Sequence, residues 1–204
     1  TIGGEALSQR ESLERQALMW SLDDRFLYFT ETAWRAEHDR EAYAEIGSIH
    51  RLTLATGDLV TLLISVNDVP AYSAAIDRDG AHLAWLQADA PRRVTIMDLH
   101  TFATRKLDLA PELATAGDLT WDPEGGRVLL SAVSRTGAGA LVMIEPATST
   151  AVMLPTPDDR VMRITAWEPD GPVQLHDTAW PDPGVWTLNL KTGDFMRQGP
   201  VEGP

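Results

Sequence analysis

Carboxylates are the most plentiful reactive side chains of this sequence, with 30 aspartates and glutamates against 17 lysines and arginines. A pair of carboxylates could act as acid and nucleophile, as in glycoside hydrolysis, but the sequence does not identify two that approach each other. There is no Gly-x-Ser-x-Gly nucleophile motif and no cysteine, so serine and thiol nucleophiles are unsupported. We therefore predict no catalytic residue and no cofactor.

The spacing of the histidines argues against a metal centre. The chain has five histidines, and no two of them have the close spacing of a zinc-binding helix. His176 and Asp177 are adjacent, but no third ligand follows nearby. The segment from Asp77 to Gly80 resembles the start of a calcium loop, although the repeat described below explains it better as a turn. We predict no metal site.

The remaining candidates fall in predicted loops. Trp34 and Trp180 lie off the repeat pattern, between the second and third strands of their repeats, and an exposed loop tryptophan is typical of an interface. Such loops share one face of the predicted fold, whose acidic mixture suits a cationic or hydroxyl-rich ligand, Ca²⁺ included. A set of solvated loops is the alternative interpretation. The predicted contact residues are Trp34, His38, Asp39, Asp68, Asp89, Asp158, Trp180 and Asp182.

The elements that must position these residues form a four-fold repeat. The first mark is a similar short segment at the start of each repeat. The second mark is a threonine that opens a turn further along each repeat, at Thr56, Thr101, Thr148 and Thr192. Two independent marks with a period of roughly 40–50 residues and strand-like content are typical of β-propeller blades. The repeats begin at Trp20, Ile76, Trp121 and Trp167.

Each repeat is predicted to contain four strands. In the third repeat, a short inner strand ends at Trp121, and the turn Asp122-Pro-Glu-Gly125 supplies Pro and Gly where turns need them. Strands over 127–133, 140–145 and 150–154 follow. The predicted blades cover about 18–66, 67–112, 113–159 and 160–199, with a tail at 200–204.

Two segments depart from the repeat. Ser8 to Glu11 has the spacing of a capping box, which predicts a short helix from Gln9 to Leu18 within a linker or edge cover at 1–17. Residues 30–48 form an insertion in the first repeat that is rich in charged residues and helix formers. A long loop on a compact scaffold is typically functional or mobile, and the sequence does not decide between the two.

The turn motifs resemble those of a known family. Trp121-Asp-Pro-Glu-Gly125 and Trp167-Glu-Pro-Asp-Gly171 are similar to the Trp-Ser-Pro-Asp-Gly turn of the TolB-like (PD40) propeller repeat, and Leu188-Asn-Leu-Lys-Thr-Gly193 matches its later element. The first turn lacks Pro and Gly, and the second has Ile76 in place of Trp. The resemblance covers 18–199 and implies an all-β propeller that serves as a binding scaffold or as the propeller domain of some peptidases. It also implies an exported, periplasmic or extracellular location, while the residues alone are compatible with the cytoplasm.

The composition restricts the classes of partner that this chain can bind. A net charge of −13 argues against nucleic acid, which needs clustered Lys and Arg. No apolar run approaches the roughly 18–20 residues of a membrane-spanning helix. We expect a non-enzymatic binding module with a protein, peptide or glycan partner. The alternative is the propeller domain of a larger enzyme or sensor, which gates or positions a substrate.

Four repeats are few for this family, whose propellers normally close with six to eight blades, and closure removes exposed sheet edges. Three explanations stay open at this point. The chain is a piece of a larger ring, or two copies pair by two-fold symmetry, or four blades close by themselves. The first two predict association with missing blades or self-association.

Overall fold

A computed structural model of the chain describes residues 11–21, 24–35, 43–64, 71–87, 90–177 and 182–200. Within these ranges it contains β-strands and one 3₁₀ turn, Pro157–Asp159, which confirms the predicted all-β class. The chain divides into two compact units, one of Thr1–Tyr72 with Gln87–Asp89 and one of Ser73–Leu86 with Ala90–Pro204. No helix in the described part of the chain is long and apolar enough to span a membrane.

The first unit is built on four antiparallel strands that follow each other in the sheet, and we call them the first blade. Glu11 of the first strand pairs with Arg35 of the second, and Leu52 of the third strand pairs with Leu59 of the fourth. Ile46 of the third strand also pairs with Ala71. The strands are β1 (Glu11–Trp20), β2 (Phe26–Arg35), β3 (Tyr43–Thr53) and β4 (Leu59–Ile64).

The predicted N-terminal helix is wrong over the residues that the structure describes. Glu11 to Leu18 belong to β1, and the strand pairs with β2 along its whole length. Helix propensity and a capping box are weak local signals, whereas pairing with β2 adds a ladder of hydrogen bonds along one edge of the strand. Tertiary pairing therefore overrides the local preference.

The predicted loop in the first repeat is largely extended strand. Residues 30–35 continue β2 and residues 43–48 belong to β3, so most of the insertion lengthens a hairpin. Trp34 consequently lies within β2, opposite Ser12 on one side and Ala44 on the other, rather than in a loop. Its placement in a loop was wrong because charged, helix-forming residues are tolerated in a strand whose ladder is complete. His38 and Asp39 lie outside the described residues.

The other three blades are four-stranded meanders, and they belong to the second unit except for the first two residues of β5 and the last residue of β6. The second blade is β5 (Ala71–Ile76), β6 (His82–Gln87), β7 (Ala90–Asp98) and β8 (Thr104–Asp108). The third is β9 (Leu113–Trp121), β10 (Val128–Ser134), β11 (Gly139–Glu145) and β12 (Thr150–Pro155). The fourth is β13 (Met162–Trp167), β14 (Val173–Asp177), β15 (Gly184–Asn189) and β16 (Asp194–Pro200).

The two sequence marks are tight turns at one end of each blade. At the first mark, the amides of Gly80, Gly125 and Gly171 donate to carbonyls three residues earlier, at 3.0, 2.8 and 3.1 Å. At the second mark, one residue per blade has a left-handed backbone, a conformation that glycine adopts most easily. These residues are Gly57, Phe102, Ser149 and Gly193, with φ of 75°, 59°, 58° and 78°.

The core of the second unit lies between successive blades. One cluster of buried side chains joins the second and third blades and includes Leu86, Ile96, Leu130 and Ile144. Another joins the third and fourth blades. Consecutive residues of β10 contribute to opposite clusters, as the two-residue period of a strand requires. The predicted blade boundaries, linker and tail stay predictions.

Candidate functional site

The connection between the third and fourth blades is a tightly held loop. It runs from Pro155 to Met162 and includes the 3₁₀ turn, where Asp158 and Asp159 both have a left-handed backbone, with φ of 51° and 57°. The Thr156 hydroxyl lies 3.0 Å from the Gly139 carbonyl and 2.6 Å from the Arg160 carbonyl. A Cβ at Gly139 would clash with that same Arg160 carbonyl. The backbone of the loop is therefore fixed by the strand beneath it.

Arg160, at the end of this loop, binds the hairpin of the fourth blade. Its Nη1 donates to Asp177 Oδ2 at 2.9 Å and to the Asp182 carbonyl at 3.0 Å. The Trp186 indole Nε1 donates to the same carboxylate oxygen at 2.7 Å, and the guanidinium lies 5.9 Å from the Trp186 ring centroid. The Asp177 side chain is 0% exposed, so its charge depends on these donors.

A second arginine holds the far side of the hairpin. Arg197 Nη2 lies 2.6 Å from Asp182 Oδ1. The hydrogen bond from Arg197 lowers the pKa of the Asp182 carboxyl, and the same bond raises the pKa of Arg197. Asp177 and Asp182 flank residues 178–181, so both ends of that segment are tied to arginines. We call Arg160, Asp177, Asp182, Trp186 and Arg197 the Arg160 network.

The structure brings two of the predicted contact residues together at this network. Asp182 is a member, and Asp158 Oδ2 lies 3.9 Å from Arg160 Nε, with the Asp158 side chain 84% exposed. His38, Asp39, Asp68, Asp89 and Trp180 lie outside the described residues.

Sequence reasoning missed Arg160, Asp177, Trp186 and Arg197 as partners. One signal could have found Asp177. In the strand Val173-Gln-Leu-His-Asp177, the aspartate follows Val173 and Leu175 at the two-residue period and so shares their buried face. A charged residue in an apolar position requires a partner, and arginine is the residue best suited to bind a buried carboxylate.

The geometry of the network suits structural anchoring. Asp177 Oδ2 accepts hydrogen bonds from Arg160 of the β12–β13 connection and from Trp186 of β15, which holds the carboxylate in one orientation. In the described part of the chain, no three His, Cys, Asp or Glu residues are arranged to hold a metal ion. The arrangement holds the β12–β13 connection in a fixed position against Asp177 and Asp182.

Three solved structures show what this chain resembles. The β-propeller domain of the trilobed protease from Pyrococcus furiosus matches with a TM-score of 0.59 and 12% identity over 93% of this chain. TolB from Acinetobacter baumannii matches with a TM-score of 0.56 and 14% identity over 92% of this chain. The acylaminoacyl peptidase of Pyrococcus horikoshii matches with a TM-score of 0.61 and 11% identity over 93% of this chain. The likeness shows the fold.

This chain covers only part of each solved structure that it resembles. This chain spans 58% of the length of the trilobed-protease domain, 56% of TolB and 32% of the acylaminoacyl peptidase. No protein-family model and no curated protein matches the sequence. The similar structures include enzymes as well as TolB, so the fold accommodates more than one use.

Proposed function

We propose that this chain, which has the fold of a TolB-like β-propeller, is a non-enzymatic binding module. Its contact surface is the loop face, by which we mean the β12–β13 connection and the β14–β15 hairpin. The partner is a protein, a peptide or a glycan. The proposal includes an exported location, which rests on the family resemblance of the turn motifs.

One observation carries the proposal: a single guanidinium, that of Arg160, links the β12–β13 connection, which holds Asp158, to Asp177 and Asp182 of the fourth blade. Loops that are ordered before binding lose less conformational entropy when a partner docks. The left-handed Asp158 is largely exposed next to this anchor, where it is available to a donor on the partner. Binding residues on loops positioned by a rigid scaffold are a common arrangement.

A second candidate function is supported by the lengths of the similar structures. The chain spans only about a third of a peptidase that it resembles, so it also fits the propeller domain of a larger enzyme or sensor. In that role the same loop face would gate or position a substrate. The reading frame around this chain distinguishes the two, because an adjoining hydrolase or membrane segment supports the second candidate.

The test measures binding and stability together. Wild-type protein is screened on a glycan array and a peptide library, and the best binder is then titrated against Trp180→Ala and Asp158→Ala. We expect both variants to weaken binding at least several-fold while their melting temperatures stay near wild type. The Asp158 side chain is 84% exposed, so its long contact with Arg160 adds little stability.

The matched control is Glu112→Ala, which removes an exposed carboxylate from the connection between the second and third blades. It should bind as wild type does. Unchanged binding by Trp180→Ala and Asp158→Ala, with a loss of melting temperature, would assign these residues to packing instead. Turnover of chromogenic glycosides or peptide anilides by the purified chain would reject the non-enzymatic proposal.

A further inference from the structure

The opposite end of the second unit carries a different surface. There the β5–β6, β9–β10 and β13–β14 turns emerge, and buried aspartates hold two of them. Asp77 Oδ1 accepts the amides of Ala81 and His82 at 2.7 and 2.9 Å, and Asp122 accepts the Glu124 amide at 3.0 Å and Arg127 Nε at 2.7 Å. Both carboxylates are therefore occupied by hydrogen bonds within the protein, and the turns that they hold are fixed in position. We call these turns the walls.

Two grooves with apolar floors lie between these walls. The first, of about 690 Å³, lies between the second and third blades, over Ile96, Trp121 and Pro146. The second, of about 620 Å³, lies between the third and fourth blades, over Trp167, Phe195 and Met196. Trp121 and Trp167 are equivalent residues of the repeat. Both volumes fall in the range of ligand-binding clefts.

The second groove has an apolar side chain with nothing to cover it. Met196 is 64% exposed, which is unusual for methionine, and it lines the groove together with Phe195. Methionine is a frequent and adaptable contact at protein-binding surfaces. The floor of this groove therefore suits an apolar side chain of a partner.

The rims of the grooves carry negative charge that the fold does not use. Glu124 lies between the grooves and lines both of them. Fewer cations than carboxylates line the grooves: Arg127 pairs with Asp122, Arg105 donates to the Pro146 carbonyl and keeps its charge, and Lys191 lines the second groove. In the described part of the chain, five of the rim carboxylates have no ion-pair partner, namely Asp79, Glu124, Glu168, Asp170 and Asp194.

We propose that these two grooves together bind an extended basic segment of a protein partner, in which apolar residues alternate with Lys or Arg. The apolar residues lie on the Trp121 and Trp167 floors, and the cationic side chains reach the rim carboxylates. Charge complementarity of this kind selects the partner and accelerates association. The site is distinct from the loop face and does not depend on the function proposed there.

The spacing of the grooves explains why the ligand is extended. The two floors belong to consecutive repeats, and Glu124 separates them, so one compact cation fills only one groove. A segment that crosses Glu124 gains contacts in both grooves, with the second contact made at high effective concentration. Binding should therefore depend most on Glu124 and less on carboxylates that line one groove.

The test uses a fluorescein-labelled synthetic peptide with two Lys-Leu-Arg triplets joined by a Gly-Ser spacer, titrated with the full chain by fluorescence anisotropy. We expect Glu124→Gln to weaken binding more than Asp79→Asn or Glu168→Gln, and to do so several-fold. Met196→Ala should also weaken binding. Rising salt should weaken binding to the wild type, because exposed charges are screened.

Matched controls separate the grooves from general charge and hydrophobicity. Glu112→Gln removes the same charge from an exposed site outside the grooves, and Met153→Ala removes a methionine that is 44% exposed on β12. Both should bind the peptide as wild type does. The proposal is overturned if the peptide does not bind, if Glu112→Gln weakens binding as much as Glu124→Gln, or if a peptide with Glu in place of Lys and Arg binds equally well.

Discussion

The third and fourth blades share strand order and register, yet only the third is apolar on both faces. Val128 lies opposite Trp121 and Val173 lies opposite Trp167, which makes Leu129 of β10 equivalent to Gln174 of β14. Leu129 is 0% exposed and belongs to the cluster between the third and fourth blades. Gln174 is exposed.

The same contrast holds on the neighbouring strand. Leu141 and Met143 of β11 pair with β10 where Val185 and Thr187 of β15 pair with β14. Leu141 is buried where Val185 is partly exposed, while Met143 and Thr187 are both partly exposed and only Met143 is apolar. A sheet packed on both sides has continuous apolar runs, and a sheet packed on one side alternates. The fourth blade thus completes its burial against the third, and its other face is polar enough to meet solvent.

Exchanging the equivalent residues should show the largest difference between the blades. Leu129→Gln places an amide among apolar side chains and leaves space behind, so we expect a loss of about 3 kcal/mol or more in the free energy of unfolding. Gln174→Leu changes an exposed position and should stay within about 0.5 kcal/mol of wild type. Urea denaturation followed by circular dichroism measures both. Equal losses at the two positions would mean that the far face of the fourth blade is also packed.

The turns between the last two strands of the third and fourth blades allow a reciprocal exchange of residues, with a smaller expected effect on stability. Ser149 and Gly193 hold equivalent left-handed positions, with φ of 58° and 78°. A Cβ at Gly193 would meet no atom within 4 Å, so only the backbone is affected. The left-handed conformation costs a non-glycine residue about 1–2 kcal/mol, and glycine returns part of that as unfolded-state entropy.

We therefore expect Ser149→Gly to raise the free energy of unfolding by about 0.5–1 kcal/mol and Gly193→Ser to lower it by a similar amount. Urea denaturation of the two variants and of the double exchange gives the comparison. The double exchange should return close to wild type, because the turns lie in different blades and do not share partners. Changes of the same sign would show that the two turns are not equivalent.

These comparisons also show what the sequence could predict. The blades followed from turn chemistry and two-residue periodicity, which are local: Asp122-Pro-Glu-Gly125 predicts its own turn, and alternation in Val173–Asp177 reports one buried face. The strand β1 was missed because its partner β2 is a non-local feature, and the local capping box favours a helix. The Arg160 network was missed for the same reason, since Arg160, Asp177 and Arg197 approach each other only after two hairpins form.

The hairpins between the second and third strands differ in how they are closed. In the third blade, Ser134 closes its own turn with uncharged groups, accepting the Ala138 amide on Oγ at 3.0 Å and donating its own amide to the Ala138 carbonyl at 2.8 Å. In the fourth blade, Arg197 holds Asp182 by an ion pair. Only the fourth hairpin should therefore respond to acid.

The smallest expected effect is the titration of Asp182. The Arg197 guanidinium lowers the pKa of this carboxyl in the folded protein, so it should titrate below the value of about 3.9 for an exposed aspartate. The stabilisation it provides is present above that value and is lost as the pH falls through the lower, folded-state pKa. Carboxyl-carbon NMR should show Arg197→Gln moving the midpoint upward and Arg135→Gln, on the hairpin of the third blade, leaving it unchanged. Because the Asp182 side chain is 57% exposed, solvent screens the pair, and the shift should be clear in the spectrum but slight in the unfolding free energy. An identical Asp182 titration midpoint in wild type and Arg197→Gln would show that the ion pair does not hold this hairpin.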